Sequence, residues 1–304
     1  MRGGWLAMVG ILLASACAAA PPAPAVGAAP GAAVPRSSAA PAPTATATPV
    51  VGPVPAPDHV VVVVFENKDV DQVLGSGAAP FLDELARTGA NFVNAHAEAH
   101  PSQPNYLALF AGDMLGVTDN ECLPELHADN LAAQLVAVGR TFVGFSEDLP
   151  ASGFSGCSSG DYAQKHAPWG AFTNLPSSAH QPWSAWPSSF ERLPTVSFVI
   201  PNLCDDMHDC SVATGDSWVR DQMADYLVWA RAHNSLLLVT FDESESYRGD
   251  NGIVTIIDGA RVRPGPVGER VDHYRLLRTL EAMYGLAPLG RAAATEPITD
   301  IWTR

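Results

Sequence analysis

Two unbroken apolar runs dominate the hydrophobic pattern of this chain. His59 to Phe65 reads HVVVVVF, and Ser235 to Phe241 reads SLLLVTF. Apolar runs without polar alternation are typical of strands that are buried on both faces of a parallel sheet. The pattern therefore predicts two central strands of an α/β protein.

Shorter apolar stretches predict the remaining elements. Helical spacing closed by a glycine indicates helices, and compact apolar runs indicate strands. The predicted helices are 79–89, one that begins at Ser102, 130–139, 215–232 and 272–284, and the further strands are 91–95, 141–145, 195–200 and 253–257. Segments 147–186 and 259–268 lack clear periodicity, and we expect a long insertion and a turn-rich excursion there. The alternation of strands and helices predicts a three-layer α/β/α sandwich with a mostly parallel central sheet.

The N-terminal part of the chain differs from the rest in composition. Arg2 and the apolar run that follows it suit a signal peptide over residues 1–17, and the run is too short to span a bilayer. Its end, Ala-Ser-Ala-Cys17, is either a cleavage site or an imperfect lipobox, in which case a lipid on Cys17 would tether the protein to a membrane. Residues 18–57 are almost all Ala, Pro, Thr, Ser, Val and Gly, which predicts a disordered stalk. We expect an exported protein, either secreted or an outer-surface lipoprotein, with its folded domain over 58–304.

The charge of the chain restricts its partners. The formal net charge is −15, and only 16% of the residues are charged. Such a surface repels nucleic-acid phosphates, and the sequence has no Lys/Arg run to offset this. An acidic protein that handles phosphates needs a cation in its site or a locally positive pocket. The oligomeric state is not encoded in any of these patterns.

Four cysteines follow Cys17, and an even number in an exported protein suggests two disulfides. Cys204 and Cys210 bracket a short loop and are expected to pair, which leaves Cys122 with Cys157. The alternative is a metal cluster of cysteines with His208. That alternative lacks a second cysteine pair at zinc-like spacing.

A polar turn carries Ser102 into an apolar run, in the segment HAEAHPSQPNYLALFAG. One interpretation is an ordinary serine N-cap in front of a core helix. The other is a hydroxyl exposed at a helix start, where unpaired N–H groups and the helix dipole favour an oxyanion or a phosphate.

Both central strands end in oxygen ligands. Glu66 and Asn67 follow the first strand, and Asp242 and Glu243 follow the second. The carboxyl ends of parallel strands are where α/β proteins bind ligands, and these groups can converge on one cation. Oxygen ligands suit Ca²⁺, Mg²⁺ or Mn²⁺. A solvated strand end is the structural alternative at each strand.

Three further places carry candidate chemistry. Lys165 and His166 lie in the long insertion and either meet a phosphate or decorate the surface. His208 lies in the acidic cluster Asp205-Asp206-Met207-His208-Asp209, which follows a strand. His273 begins the last helix and is either an active-site residue or a polar group of the first turn.

Seven segments together resemble the bacterial phosphoesterase family of the alkaline phosphatase superfamily, which includes acid phosphatases and phospholipases C. The resemblance covers about residues 59–302 and is closest to short exported acid phosphatases, some of which act on phosphoinositides. The matching segments are VVVVFENK, APFLDELARTGANF, AHPSQPNYLALFAG, YAQKHAPW, VSFVIPNLCDDMHDCS, SLLLVTFDESES and DHYRLLRTLEAMYG.

The resemblance implies a role for particular residues. Ser102 would be the nucleophile and would become phosphorylated during turnover. A divalent metal ion, Mg, Ca, Mn or Fe, would be held by Glu66, Asn67, Asp242 and Glu243. Asn105 and His166 would contact the phosphate, and His208 would protonate the leaving oxygen or steady the transferred group. Two departures stand out, because Ser244 replaces the usual third carboxylate and Gln103 replaces a Glu that is frequent in close relatives.

The sequence thus predicts an exported acid phosphatase that acts on phosphate monoesters, phosphoinositides included. An imidazolium at His208 would favour an acidic optimum. One alternative keeps the fold and cleaves phosphodiesters as a phospholipase C, although those family members are generally longer. The other is a non-catalytic cell-surface binding protein.

Overall fold

The computed structural model describes residues 54–247 and 249–303. The predicted signal segment, Cys17 and nearly all of the predicted stalk lie outside these residues. The strands are β1 His59–Phe65, β2 Ala90–Phe92, β3 Phe142–Ser146, β4 Ser158–Ser159, β5 Tyr162–Ala163, β6 His180–Pro182, β7 Val196–Ile200, β8 Ser235–Phe241, β9 Thr255–Gly259 and β10 Gly265–Val267. The α-helices are α1 Val70–Val73, α2 Pro80–Thr88, α3 Ser102–Ala111, α4 Leu131–Ala137, α5 Val212–Ala232 and α6 His273–Met283.

An eight-stranded sheet forms the centre of the domain, in the order β10-β2-β9-β8-β1-β7-β3-β6. The two predicted central strands, β1 and β8, are parallel neighbours with Phe65 opposite Phe241. β7 lies parallel on the other side of β1, and β9 is antiparallel to both of its neighbours. β1 and β8 are both buried along almost their whole length, which accounts for their mostly apolar side chains, and the buried Thr240 hydroxyl is paired with that of Thr255 at 2.8 Å.

The larger helices fall into two groups. Helix α2 packs against α5, and α3 packs against α4 and α6. Both groups cover the sheet, which confirms the predicted α/β fold with a mostly parallel sheet. No helix in the described part of the chain is long and apolar enough to cross a bilayer.

Some predicted boundaries were wrong. The segment 259–268, expected to be a turn-rich excursion, contains β10, which pairs with β2 at the edge of the sheet. The long insertion contains the small β4–β5 hairpin and the edge strand β6, which pairs with β3. Residues 54–57, assigned to the stalk, pack on the domain, since Val54 is 8% exposed and the Pro57 carbonyl accepts a hydrogen bond from Tyr284.

Candidate active site

The ends of β1 and β8 bring the predicted ligands side by side. The backbone N–H of Asp242 donates to the Phe65 carbonyl at 2.9 Å, so the parallel pairing continues to the last residue of each strand. The next backbone N–H, at Asn67, donates to Asp242 Oδ1 at 3.0 Å. Asn67 has a φ of 44°, in the left-handed region that Asn tolerates better than most residues. The sharp turn there is held by this hydrogen bond.

Ser102 is the first residue of α3 and is not its N-cap. Pro101 occupies the cap position, and the helix has no side-chain cap. The Ser102 side chain is fully buried, and its Oγ lies 2.9 Å from Glu66 Oε2 and 3.0 Å from Glu243 Oε1. The capping interpretation was therefore wrong, because Pro101 is the N-cap and the Ser102 hydroxyl faces carboxylates.

The second oxygen of Glu66 is held by residues from other elements. Tyr106, one helical turn after Ser102, donates its hydroxyl to Glu66 Oε1 at 2.6 Å. His166 Nε2 lies 3.0 Å from the same oxygen, and His166 Nδ1 lies 3.1 Å from Asp206 Oδ2. The His166 ring is thus placed between two buried carboxylates, and it stacks on the Tyr106 ring at a centroid distance of 5.3 Å.

Burial and charge act in opposite directions on this ion pair. Burial alone raises the pKa of Glu66, but the adjacent His166 outweighs it and lowers that pKa to about 2. Burial lowers the pKa of His166, and its two carboxylate neighbours raise it to about 9. Both side chains are therefore ionised at neutral pH, and the pair is an imidazolium between carboxylates.

The remaining carboxylates crowd each other. Burial, followed by the charges of Glu66 and Glu243, raises the pKa of Asp242 well above its usual range. Glu243 also contacts His100 Nδ1 through Oε2, and this contact offsets part of the effect of burial on Glu243. A group of buried carboxylates facing one hydroxyl is costly unless positive charge compensates it.

The donor set fits a divalent cation. Asp242 Oδ2 and Asn67 Oδ1 are buried and have no hydrogen-bond partner among the residues that the structure describes. Among residues 54–247 and 249–303, no three His, Cys, Asp or Glu side chains already form a metal cage. The fit rests instead on unpaired oxygens from carboxylate and amide groups beside a serine hydroxyl, which is the donor chemistry of a hard cation.

Asn105 is fully used in shaping the loop before Ser102. Its Oδ1 accepts from the backbone N–H groups of Glu98 and Ala99, both at 3.0 Å, and its Nδ2 donates to the Ala99 carbonyl at 2.8 Å. A contact with phosphate would have to replace one of these bonds. In the structure the residue acts as an anchor for the turn that positions Ser102.

His208 lies beside Lys165, away from the carboxylates that surround Ser102. Its Nδ1 lies 2.6 Å from Asp209 Oδ1, and the Lys165 Nζ lies 3.0 Å from its Nε2. The Cys204–Cys210 disulfide closes the loop that carries both His208 and the buried Asp206. This loop is pinned to β1, because the Asp206 carbonyl accepts a hydrogen bond from the Glu66 N–H at 2.9 Å. The second disulfide joins Cys122 to Cys157, as predicted.

His273 lies behind the metal-suited end of β8. The side chain is buried, and its Nε2 lies 3.0 Å from the carbonyl of Phe241. Burial lowers its pKa, although the Phe241 carbonyl acts in the opposite direction. The neutral ring supports the backbone just before Asp242 and does not reach Ser102 by any described contact.

An acidic groove of about 480 Å³ opens beside Ser244, next to the site. Its lining includes Asp69, Asp71 and Asp250. A negatively charged wall on this side disfavours anionic groups of a substrate, so an anionic ligand is better accommodated on the side of Lys165 and His208.

Three residues of the site were not predicted. Tyr106 could have been found from its position four residues after Ser102, on the same face of a helix. Asp206 was part of the noted acidic cluster, but nothing in the pattern singled out its inward direction. His100 gave no signal beyond its place two residues before the serine.

A sequence profile described as the Phosphoesterase family matches residues 76–287, which is more than two thirds of the chain. The chain belongs to the phosphoesterase family. This phosphoesterase is 49% identical over 247 residues to a protein from Mycobacterium tuberculosis named phosphatidylinositol-3-phosphatase, covering 80% of this chain and 82% of that protein. It is also 29% identical over 266 residues to a probable acid phosphatase of Kluyveromyces lactis, covering 79% of this chain and 61% of the yeast protein.

Solved structures share the fold at low identity. A protein of the alkaline phosphatase superfamily from Vibrio parahaemolyticus aligns with a TM-score of 0.55 and 12% identity, over 81% of this chain and 72% of that one. The lipoteichoic acid synthase LtaP of Listeria monocytogenes aligns with a TM-score of 0.54 and 8% identity, over 77% and 73% of the two chains. The fold is that of the alkaline phosphatase superfamily, and the phosphoesterase is a phosphoric monoester hydrolase.

Proposed function

We propose that the protein is an exported acid phosphatase that hydrolyses phosphate monoesters, phosphoinositides among them, through a phosphoserine at Ser102. The observation that supports this most directly is the position of the Ser102 Oγ, buried between Glu66 Oε2 and Glu243 Oε1. A serine in this environment has a proton acceptor within hydrogen-bond distance. The relative named phosphatidylinositol-3-phosphatase supports the substrate class.

In the proposed first step, the Ser102 Oγ attacks phosphorus while a carboxylate oxygen accepts its proton. The bond from phosphorus to the leaving alcohol breaks, and His208 supplies the proton that the alcohol oxygen takes up. Water then attacks the phosphoserine and gives a proton back to the His208 imidazole. The carboxylic acid returns its proton to the Ser102 Oγ as the bond from phosphorus to serine breaks, and inorganic phosphate leaves. Positioning of the nucleophile and compensation of charge are the two requirements of such a transfer.

A divalent cation would be held by Glu66, Asn67, Asp242 and Glu243, beside the Ser102 hydroxyl. When bound, it would lower the hydroxyl pKa and withdraw negative charge from the phosphoryl oxygens. Tyr106 and His166 act on this arrangement through Glu66, since they occupy its other oxygen. They are positioning residues.

The deciding experiment compares Ser102→Ala with Ser178→Ala, in which an exposed serine is replaced. With p-nitrophenyl phosphate as substrate, we expect Ser102→Ala to lose about a thousandfold or more in kcat and Ser178→Ala to keep it. Acid quenching during turnover should trap phosphate on the Ser102 peptide. Turnover that persists in Ser102→Ala would require another nucleophile.

A substrate panel separates the monoesterase from the phosphodiesterase alternative. We expect phosphate release from p-nitrophenyl phosphate and from phosphatidylinositol 3-phosphate, and no phosphocholine release from a lecithin analogue. The reverse pattern would indicate a phospholipase C. Absence of turnover on every substrate would favour the binding protein.

A further inference from the structure

The imidazole groups nearest Ser102 are already in contact with carboxylates. His166 lies between Glu66 and Asp206, and His100 contacts Glu243. A substrate phosphate that approaches Ser102 therefore needs another cation. The acidic groove beside Ser244 makes this need greater.

The chain contains two lysines, Lys68 and Lys165, and each directly adjoins a predicted site residue in the sequence. The Lys68 Nζ donates to the Asn67 carbonyl at 3.0 Å and lies 3.8 Å from Glu245. Lys165 differs from it, because within residues 54–247 and 249–303 its ammonium has no carboxylate at ion-pair distance. Its described contact is His208 Nε2, at 3.0 Å.

The charge of Lys165 nevertheless acts on Glu66, the carboxylate that contacts the Ser102 hydroxyl. It precedes His166 on the short turn Gln164–His166, and His166 contacts Glu66. The pKa of Glu66, which burial raises, is lowered by His166 and, to a smaller extent, by the charge of Lys165. The lysine is only partly buried, so an incoming phosphate can reach it.

The contact with Lys165 also determines which ring nitrogen of His208 carries the proton. An ammonium group only donates hydrogen bonds, so Nε2 of His208 must be the acceptor. The ring proton then lies on Nδ1, which faces Asp209 at 2.6 Å. While Lys165 donates to it, Nε2 of His208 carries no proton that could pass to a leaving group.

We propose that Lys165 binds the phosphate of the substrate and that this contact draws its ammonium away from His208. The released Nε2 can then take up a proton, which makes His208 competent as the acid of the first step. This inference rests on the proposed phosphatase function. It assigns Lys165 two linked roles, as an anion-binding residue and as the group that occupies Nε2 of His208 in the absence of substrate.

The test compares Lys165→Gln with Arg220→Gln in the full chain. Both variants lose one positive charge, and Arg220 is exposed on α5. For Lys165→Gln we expect KM for p-nitrophenyl phosphate and the inhibition constant of inorganic phosphate to rise about tenfold to a hundredfold, the usual range for a charge-assisted hydrogen bond. Arg220→Gln should leave both constants within about twofold. Thermal unfolding of each variant shows that it is folded.

Calorimetric titration of inorganic phosphate into Ser102→Ala and into Ser102→Ala/Lys165→Gln separates binding from turnover. Weaker binding in the double variant supports the inference even if Ser102 is not the nucleophile. An unchanged phosphate affinity would overturn it while leaving the phosphoserine mechanism intact. A fall in kcat with unchanged KM and inhibition constant would also overturn it, since Lys165 would then act only by holding His208.

Discussion

The two carboxylate oxygens of Glu66 have different partners in this site. Oε2 faces the Ser102 hydroxyl, whereas Oε1 is held by the Tyr106 hydroxyl and lies at ion-pair distance from His166. Because these partners come from helix α3 and from the turn Gln164–His166, and contact both oxygens, the carboxylate has one orientation. Asp242 is the contrasting case, since its Oδ2 is buried and has no hydrogen-bond partner within the described part of the chain.

This contrast leads to a prediction for Asp242→Asn. We expect kcat to fall about a hundredfold or more, because the variant loses a charged oxygen that would hold the proposed divalent cation. The free energy of unfolding should not decrease, since the raised pKa of Asp242 shows that its ionised form is disfavoured in the folded protein. Denaturant titration and steady-state kinetics measure both quantities. Asp225→Asn, at an exposed position on α5, is the matched control. Equal losses of stability and activity in Asp242→Asn would indicate a structural role.

At the scale of elements, α5 supports the site from outside it. Asp216 is buried, and its Oδ1 and Oδ2 accept from the N–H groups of Leu82 and Phe81 at 2.8 Å and 3.1 Å, so α5 caps α2. One residue earlier, Gly215 lies against Met207 in the loop between Cys204 and Cys210. Helix α5 begins three residues before the predicted start at Gly215. Gly215 is therefore an internal helix position, and it packs closely against Met207.

Gly215→Ala tests this packing. Alanine normally stabilises a helix relative to glycine by about 1 kcal/mol. Here the added Cβ would lie 2.5 Å from the Met207 Cγ and 2.8 Å from the Asp205 carbonyl oxygen. We expect a net loss of about 1–3 kcal/mol in the free energy of unfolding, together with a lower kcat, because the loop that carries Asp206 and His208 must shift. Wild-type stability and kcat in this variant would contradict the prediction, since the loop would then accommodate the added methyl group without cost.

At the scale of the whole molecule, the loop before Ser102 ties the sheet to the last helix. Glu98 accepts the N–H of His273 at 3.0 Å, at the start of α6. Its own N–H donates to Asn105. Burial, followed by the charge of Asp272, raises the pKa of Glu98 to about 7. Folding therefore favours the protonated form of Glu98.

The sign of the resulting pH dependence follows from linkage. Below about pH 4.5 Glu98 is protonated in both states, and between about 4.5 and 7 the unfolded chain ionises first. The contribution of Glu98 to the free energy of unfolding thus falls as the pH rises through this window. Glu98→Gln should gain up to about 2 kcal/mol over wild type between pH 4.5 and pH 7.5. Urea unfolding across this range measures the difference. Exposed Glu125→Gln serves as the control, and parallel curves for wild type and Glu98→Gln would contradict the prediction.

The hydrophobic pattern was sufficient for the central strands and the fold class. Runs such as His59–Phe65 and Ser235–Phe241 have one physical solution, a strand buried on both faces, and their bounds were predicted to the residue. The polar residues at the ends of these strands could also be identified from the sequence, because they directly follow the apolar runs. The edge elements were less accurate, because β10 and β6 are short and depend on pairing with β2 and β3.

The direction of each polar side chain was decided by tertiary contacts that no local pattern contains. The sequence could propose Ser102 and the carboxylates, but the partners of Glu66, the engagement of Asn105 and the pairing of Lys165 with His208 depend on loops that meet only after folding. Hydrophobic periodicity is a local property of the chain, whereas hydrogen bonds between residues far apart depend on packing to within a few tenths of an ångström. For this reason the sequence predicted candidate residues for the site, and the fold determined which oxygen faces the serine and which lysine has no carboxylate at ion-pair distance among the described residues.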